Sequence, residues 1–208
     1  RTISPNILNK SEMPQSGNDR VRLATATIAG LPLKMAIIYV FLFITAFSIY
    51  NILWKNVPIM TLDSGGYIRD AQDLSDFSVD RLHARPPGYA LFLAVTGSTE
   101  KPTRALFQSS LVLHFTAVWL IAVVLHALGV TGLRLTAFGF LLVLPPYTEY
   151  AAYVLSETLS EFLLVVGFST LVLWFLRGKG FHLLLISGIA TGCSALTRPT
   201  YQALALAV

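Results

Sequence analysis

"MAIIYVFLFITAFSIYNILW", residues 35–54, contains no charged side chain. About 20 consecutive apolar residues are what an α-helix needs to cross the hydrocarbon core of a bilayer. Trp54 and Lys55 close the run as an amphipathic ring and a cation, the residue types that anchor a span at the membrane interface. This stretch therefore predicts a transmembrane helix, and the rest of the chain has to be read against a membrane.

Composition agrees. The 208 residues are 54% hydrophobic and 12% charged, with a mean hydropathy of +0.65. Soluble domains carry about 25% charged residues. The net charge of +4 could suggest a nucleic-acid binder. The Lys and Arg residues are scattered and form no basic stripe, so nucleic acid is excluded as a partner. Cys193 is the single cysteine, so no intrachain disulfide can form.

Working outward, residues 1–34 read as a polar, disordered N-terminal tail, and 35–208 as a transmembrane domain with an outer loop over 55–104. Further spans are predicted over 105–128, from 133 to Pro145-Pro146, over 155–176 and over 181–197, with a sixth beginning at 201. Prolines at 145 and 146 stop helix propagation, and Tyr147, Tyr150 and Tyr153 after them read as an aromatic belt. Gly188 and Gly192, four apart, would let a neighbouring helix approach closely. The fold class expected is an all-α, multi-pass bundle of about five spans plus a partial sixth. An uncleaved anchor is expected rather than a signal peptide, because the first apolar run is as long as a span.

Orientation follows from short flanks. Arg20, Arg22 and Lys34 precede the first span; Arg134 lies between the second and third; Arg177 and Lys179 lie between the fourth and fifth. Alternation places all of them on one side, which the positive-inside tendency makes cytoplasmic. Among the acids only Glu12 and Asp19 share that side, which points to function at the outer face.

The outer loop opens with "PIMTLDSGGYIRDAQDL", 58–74. Tyr67, Ile68, Ala71, Leu74 and Phe77 recur at helical spacing, and Asp70, Asp73, Asp76 and Asp80 are placed on another face. That pattern predicts an amphipathic helix over 66–80, lying along the outer interface with its aspartates in water. Pro86-Pro87-Gly88 breaks it, and "YALFLAV", 89–95, is too short to span and packs on the membrane. Gly65 and Gly66 read as a flexible turn near a substrate.

Four stretches carry a resemblance. "LDSGGY" (62–67), "RPPGYALFL" (85–93), "SETLSEF" (156–162) and "SGIATGCSALTRPT" (187–200) together resemble the C-type polytopic membrane glycosyltransferases. That family includes the protein O-mannosyltransferases and the lipid A aminoarabinose transferases, and it uses polyprenyl-phosphate-linked sugars. The resemblance implies that the chain is the N-terminal portion of a larger transmembrane domain, in a bacterial inner membrane with a cytoplasmic N-terminus. It implies an inverting transfer of a sugar from a polyprenyl-phosphate donor to a lipid, glycan or protein acceptor at the outer face. Asp63 matches the family's acidic residue at the reaction centre, although many members carry two adjacent acids where this chain has Asp63-Ser64.

The residues support that chemistry on their own terms. A sugar or Ser/Thr hydroxyl is a weak nucleophile, and a carboxylate within hydrogen-bond reach can take its proton, typically worth about 10²–10⁴-fold. The leaving group is already an anionic lipid phosphate and needs cationic donors rather than a general acid. Asp63 is thus the candidate base, or else a helix cap. Arg85 and Arg198 are candidates for the phosphate, or else headgroup anchors. Tyr67 follows the glycines as a candidate substrate contact. Glu157 and Glu161, one turn apart, are candidates for an acceptor site or, with Asp63, for a divalent metal; a salt bridge to an arginine is the plain alternative. Glu149 reads as a solvated loop residue. His114 and His126 read as interhelical hydrogen-bond partners. The rival reading of the whole chain is a non-enzymatic membrane protein, a transporter half or scaffold subunit. It is disfavoured because the acids gather at one membrane face and the predicted helix middles are nearly free of charge.

Overall fold

The computed structural model describes residues 27–28, 30–78, 85–178, 180–198 and 200. A small antiparallel hairpin comes first, β1 (Thr27–Ile28) pairing with β2 (Leu31–Pro32). All other regular structure among the described residues is helical: α1 (Leu33–Leu53), α2 (Ser64–Ser75), α3 (Pro87–Val95), α4 (Arg104–Ala127), α5 (Gly132–Val143), α6 (Pro145–Ala152), α7 (Glu157–Arg177) and α8 (Phe181–Ala195).

Three of these helices are long and apolar enough to cross a membrane. They are α1 with 21 residues, α4 with 24, and the Glu157–Leu176 part of α7 with 20, each with a mean hydropathy of 2.0 or 2.2. At a rise of about 1.5 Å per residue they reach about 30 Å or more, the thickness of the hydrocarbon core. Large side chains such as Phe41, Ile44 and Ile52 stand out from α1 into the surroundings, as lipid-facing residues do. This marks the chain as an integral membrane protein. The predicted spans at 133–145 and 181–197 are shorter, with 12 residues in α5 and 15 in α8. The segment expected to start a sixth span lies outside the described residues.

The end of α5 shows how a proline break survives at this depth. Pro145 and Pro146 lack the N–H groups that would serve the last carbonyls of α5. Other helices supply the donors. The Tyr50 hydroxyl donates to the Val143 carbonyl at 2.5 Å, Thr148 Oγ1 donates to the same oxygen at 3.0 Å, and His114 Nε2 lies 3.0 Å from the Leu142 carbonyl. The prolines do not end helical structure, as expected from sequence. A new helix, α6, starts on them, because proline suits the first turn where no N–H bond is needed.

The pairs between elements fix the directions of the bundle. Phe43 stacks on Phe115 with centroids 5.1 Å apart, Tyr39 meets Trp119 at 6.1 Å, and Trp54 meets Phe107 at 6.3 Å. Rising positions on α1 meet falling positions on α4, so the two are antiparallel. On α7 and α8, Ser187 Oγ donates to the Gly167 carbonyl at 2.8 Å and Ser194 Oγ to the Ser160 carbonyl at 3.2 Å, also antiparallel. The C-terminal ends of α1 and α8 and the N-terminal ends of α4 and α7 therefore share one end of the bundle.

Three expectations from sequence need correction. The close approach in the last helix pair does not use Gly188 and Gly192, where an added Cβ would meet nothing within 4 Å; it uses Gly167, where a Cβ would sit 2.6 Å from Thr191 Oγ1. The polar tail ends in folded structure, with Leu31 fully buried in a cluster with Tyr39, Val118 and Leu135. The loop helix α2 spans Ser64–Ser75, and its aspartates do not share a water-facing side. Asp70 is 3% exposed, Asp73 is half-buried and Asp76 is exposed, while Phe77, expected on the apolar stripe, is 90% exposed. The spacing explains this. Asp70 lies three residues from Tyr67 and four from Leu74, so it shares their stripe. That stripe packs on protein, with Ile68 and Ala71 buried against Tyr89, Leu93 and Val154. Asp80 lies outside the described residues.

Candidate functional site

Asp63 is held by stitches between the loop after α1 and the α6–α7 connection. The Ile59 amide donates to the Ala152 carbonyl at 2.7 Å, and the Val154 amide donates back to Ile59 at 3.0 Å. Buried Ser64 donates through Oγ to the Val154 carbonyl at 2.9 Å and accepts from the Thr61 amide at 2.8 Å. Asp63 occupies the N-cap position of α2, yet its side chain makes no capping hydrogen bond. The carboxylate points to Arg85 instead: Nη2 lies 3.3 Å from Oδ1, and Nη1 donates to the Asp63 carbonyl at 3.0 Å. The Arg85 guanidinium also lies over the Tyr67 ring, 4.7 Å from its centroid, the geometry of a cation–π contact.

The glycines explain how an arginine fits there. They lie in the first turn of α2 rather than in the flexible turn expected from sequence. A Cβ at Gly66 would sit 2.8 Å from Arg85 Cζ, whereas a Cβ at Gly65 would meet nothing within 4 Å. Gly66 is the seat of the guanidinium.

A second acid–base pair lies beyond the first. Tyr67 Oη is 3.1 Å from Ser156 Oγ, and Ser156 directly precedes α7. The first residue of α7, Glu157, places Oε1 3.2 Å from Arg198 Nη2. Its other oxygen, Oε2, is buried with no hydrogen-bond donor among the described residues. Leaving such a group unsatisfied costs about 1–3 kcal/mol. Gly88 brings the two arginine-bearing segments together. Its amide donates to the Leu196 carbonyl at 2.7 Å, and a Cβ there would lie 2.6 Å from the same oxygen. Tyr89, 1% exposed, packs beneath, with its ring 4.9 Å from that of Tyr67. Burial, and then the nearby Tyr67 and Glu157, push its phenol above the ordinary range, so it stays neutral.

The five residues singled out from sequence, Asp63, Tyr67, Arg85, Glu157 and Arg198, thus form one connected line at one end of the bundle. Each of the two arginines, expected to share a phosphate, has a carboxylate of its own. Asp63 is the more open acid: its side chain is 69% exposed, against 28% for Glu157. For the divalent-metal alternative, no group of three or more His, Cys, Asp or Glu side chains with metal-binding placement occurs among the described residues.

Cavities adjoin this line. One of about 400 Å³ is lined by Tyr150, Glu157, Glu161 and Arg198. A smaller alcove of about 160 Å³ shares Tyr150 and Glu161 with it and adds Tyr147 and His114. An apolar groove of about 380 Å³ starts at Glu161 and follows Ile121, Leu164, Val165 and Phe168 between α4 and α7. Glu161 borders all three. Tyr150 was legible only as part of an aromatic belt; its spacing of three from Tyr147, directly after two prolines, was the signal that both rings share one face of a short helix. Glu149 is exposed as expected, but it lies on α6 rather than a loop and accepts from the Tyr153 hydroxyl at 2.7 Å.

The fold and site define an all-helical protein with three membrane-length helices and a line of ion pairs at one end of the bundle. No protein-family model, curated protein or solved structure matches the chain.

Proposed function

We propose that the chain belongs to an integral-membrane glycosyltransferase that moves a sugar from a polyprenyl-phosphate carrier to an acceptor at the outer face. The observation that carries this reading is the line from Asp63 and Arg85 through Tyr67 and Ser156 to Glu157 and Arg198. It combines an open carboxylate with guanidinium groups beside membrane-length helices, which is what transfer from a lipid phosphate requires.

In the proposed reaction Asp63 takes the proton of the acceptor hydroxyl. The acceptor oxygen forms a bond to the anomeric carbon, and the bond from that carbon to the carrier phosphate breaks with its electron pair on phosphate. Attack opposite the leaving group inverts the anomeric carbon. A carboxylate paired with a guanidinium is a poor base, because the cation stabilises its charged form. The donor phosphate competes for Arg85, and as it draws the guanidinium from Oδ1 it releases Asp63 for the proton. Arginine suits this exchange, because its planar fork matches carboxylate and phosphate alike. The apolar groove beside Glu161 gives a carrier tail a lateral path from the bilayer. The setting proposed is a bacterial inner membrane with the N-terminus cytoplasmic.

The test is transfer by the full-length protein in lipid nanodiscs, using a radiolabelled sugar on synthetic decaprenyl phosphate and membrane lipid extract as acceptor. Label moving to acceptor with release of decaprenyl phosphate supports the reading. Absence of both donor binding and transfer overturns it.

A further inference from the structure

The 400 Å³ cavity is distinct from the Asp63–Arg85 pair and is lined differently. Its size falls in the range of about 300–1,000 Å³ typical of small-molecule pockets. Its lining combines an aromatic ring, two carboxylates and a guanidinium, from three elements: Tyr150 on α6, Glu157 and Glu161 on α7, and Arg198 after α8. Tyr150 is 54% exposed, leaving its ring available to a ligand. Glu157 Oε2 lacks a donor, and only Oε1 takes Arg198. Two acids against one base make the lining poor for a second anion. It suits a ligand that offers several hydroxyl or N–H donors on one side and an apolar C–H face on the other. A pyranose ring has that form: aromatic rings present an apolar face, and hydrogen bonds to ionised acceptors are the strong ones.

We infer that Tyr150, Glu157 and Glu161 form the subsite for the transferred sugar, with the alcove beside His114 receiving its substituents. This rests on the glycosyltransferase reading above and adds the residues that recognise the sugar. The ring seats against Tyr150, and hydroxyl groups donate to Glu161 and to the open oxygen of Glu157. The two carboxylates select neutral or amine-bearing sugars and repel a uronic acid.

The experiment measures binding of synthetic decaprenyl phosphate to the full-length protein in nanodiscs. The carrier is tested bare and carrying mannose, N-acetylglucosamine or glucuronate. The wild type is expected to bind at least one neutral conjugate about tenfold more tightly than the bare carrier, a factor worth one decade in Kd, and glucuronate no better than bare. Glu161→Gln and Tyr150→Ala are expected to bring the neutral-conjugate ratio to within about twofold of one while leaving bare-carrier affinity unchanged. Glu161→Gln keeps size and shape, so it decides the matter if Tyr150→Ala misfolds. The inference is overturned if both variants weaken bare and loaded carrier equally, if neither changes the ratio, or if no neutral conjugate exceeds the bare carrier in the wild type. A wild type that binds no form of the carrier overturns the glycosyltransferase reading itself, and the subsite with it.

Discussion

Asp63 has two separable parts to play, and the geometry divides them. Its side chain makes no cap bond to α2 and faces Arg85 at 3.3 Å. Asp63→Asn should therefore leave folding yield and thermal midpoint near wild type while lowering sugar transfer by about 10²-fold or more, the size of a lost general base. Near-normal transfer would place the base elsewhere. Arg85→Lys keeps the charge but loses the fork, and should raise donor KM about tenfold, about 1.4 kcal/mol of binding. The neighbouring glycines give a sharper comparison. A Cβ at Gly66 would meet Arg85 Cζ at 2.8 Å, and the far end of a long side chain can move aside. Gly66→Ala should thus keep the fold and reproduce the donor-binding loss of Arg85→Lys. Gly65→Ala, with nothing within 4 Å, should bind donor normally. Equal effects of the two alanines would show that the guanidinium does not depend on its seat.

At the scale of elements, the long apolar runs were legible and their partners were not. Residues 35–54 announce α1 by lack of charge alone, and the structure starts it two residues earlier. Pro145-Pro146 announce a break, but not the rescue of its carbonyls by Tyr50 and His114, because those bonds join residues far apart in sequence. The aspartates of α2 were misplaced because a spacing of three was read as a face of its own, when it drifts around the helix. The Gly188/Gly192 pair was misread for a related reason. Small residues permit a close approach without saying which face is used, and here Gly167 and Thr191 are used. Gly167→Leu should force α7 and α8 apart, costing about 1–3 kcal/mol as overpacking does, and so lower the thermal midpoint in detergent. It should also disturb Glu157 and Arg198, which the same helix pair positions. Gly188→Ala and Gly192→Ala should change neither stability nor donor binding. A destabilised Gly192→Ala with a tolerant Gly167→Leu would reverse the assignment of faces.

For the whole molecule, what the sequence conveyed about the site was the set of residues, and what it concealed was their pairing. Asp63, Arg85, Glu157 and Arg198 come from four separate segments, and only the fold joins them two by two. Their common end of the bundle is a matter of helix direction, and direction makes a prediction about the membrane. The antiparallel pairing of α1 with α4 and of α7 with α8 puts Asp63 and Glu100 at one end and Leu128 and Gly178 at the other. The positively charged flanks assign the second end to the cytoplasm. Cysteine labelling tests this once exposed Cys193 has been replaced by serine. Glu100 and Leu128 are both exposed, so each can carry a reactive cysteine without entering the core. In intact cells an impermeant maleimide should label Glu100→Cys and leave Leu128→Cys untouched until the membrane is opened. The reverse pattern would put the ion pairs on the cytoplasmic face, where sugars are available on water-soluble nucleotide carriers, and the case for a lipid-linked donor would lose its footing. Labelling of both positions in intact cells would show that α4 does not cross the bilayer at all.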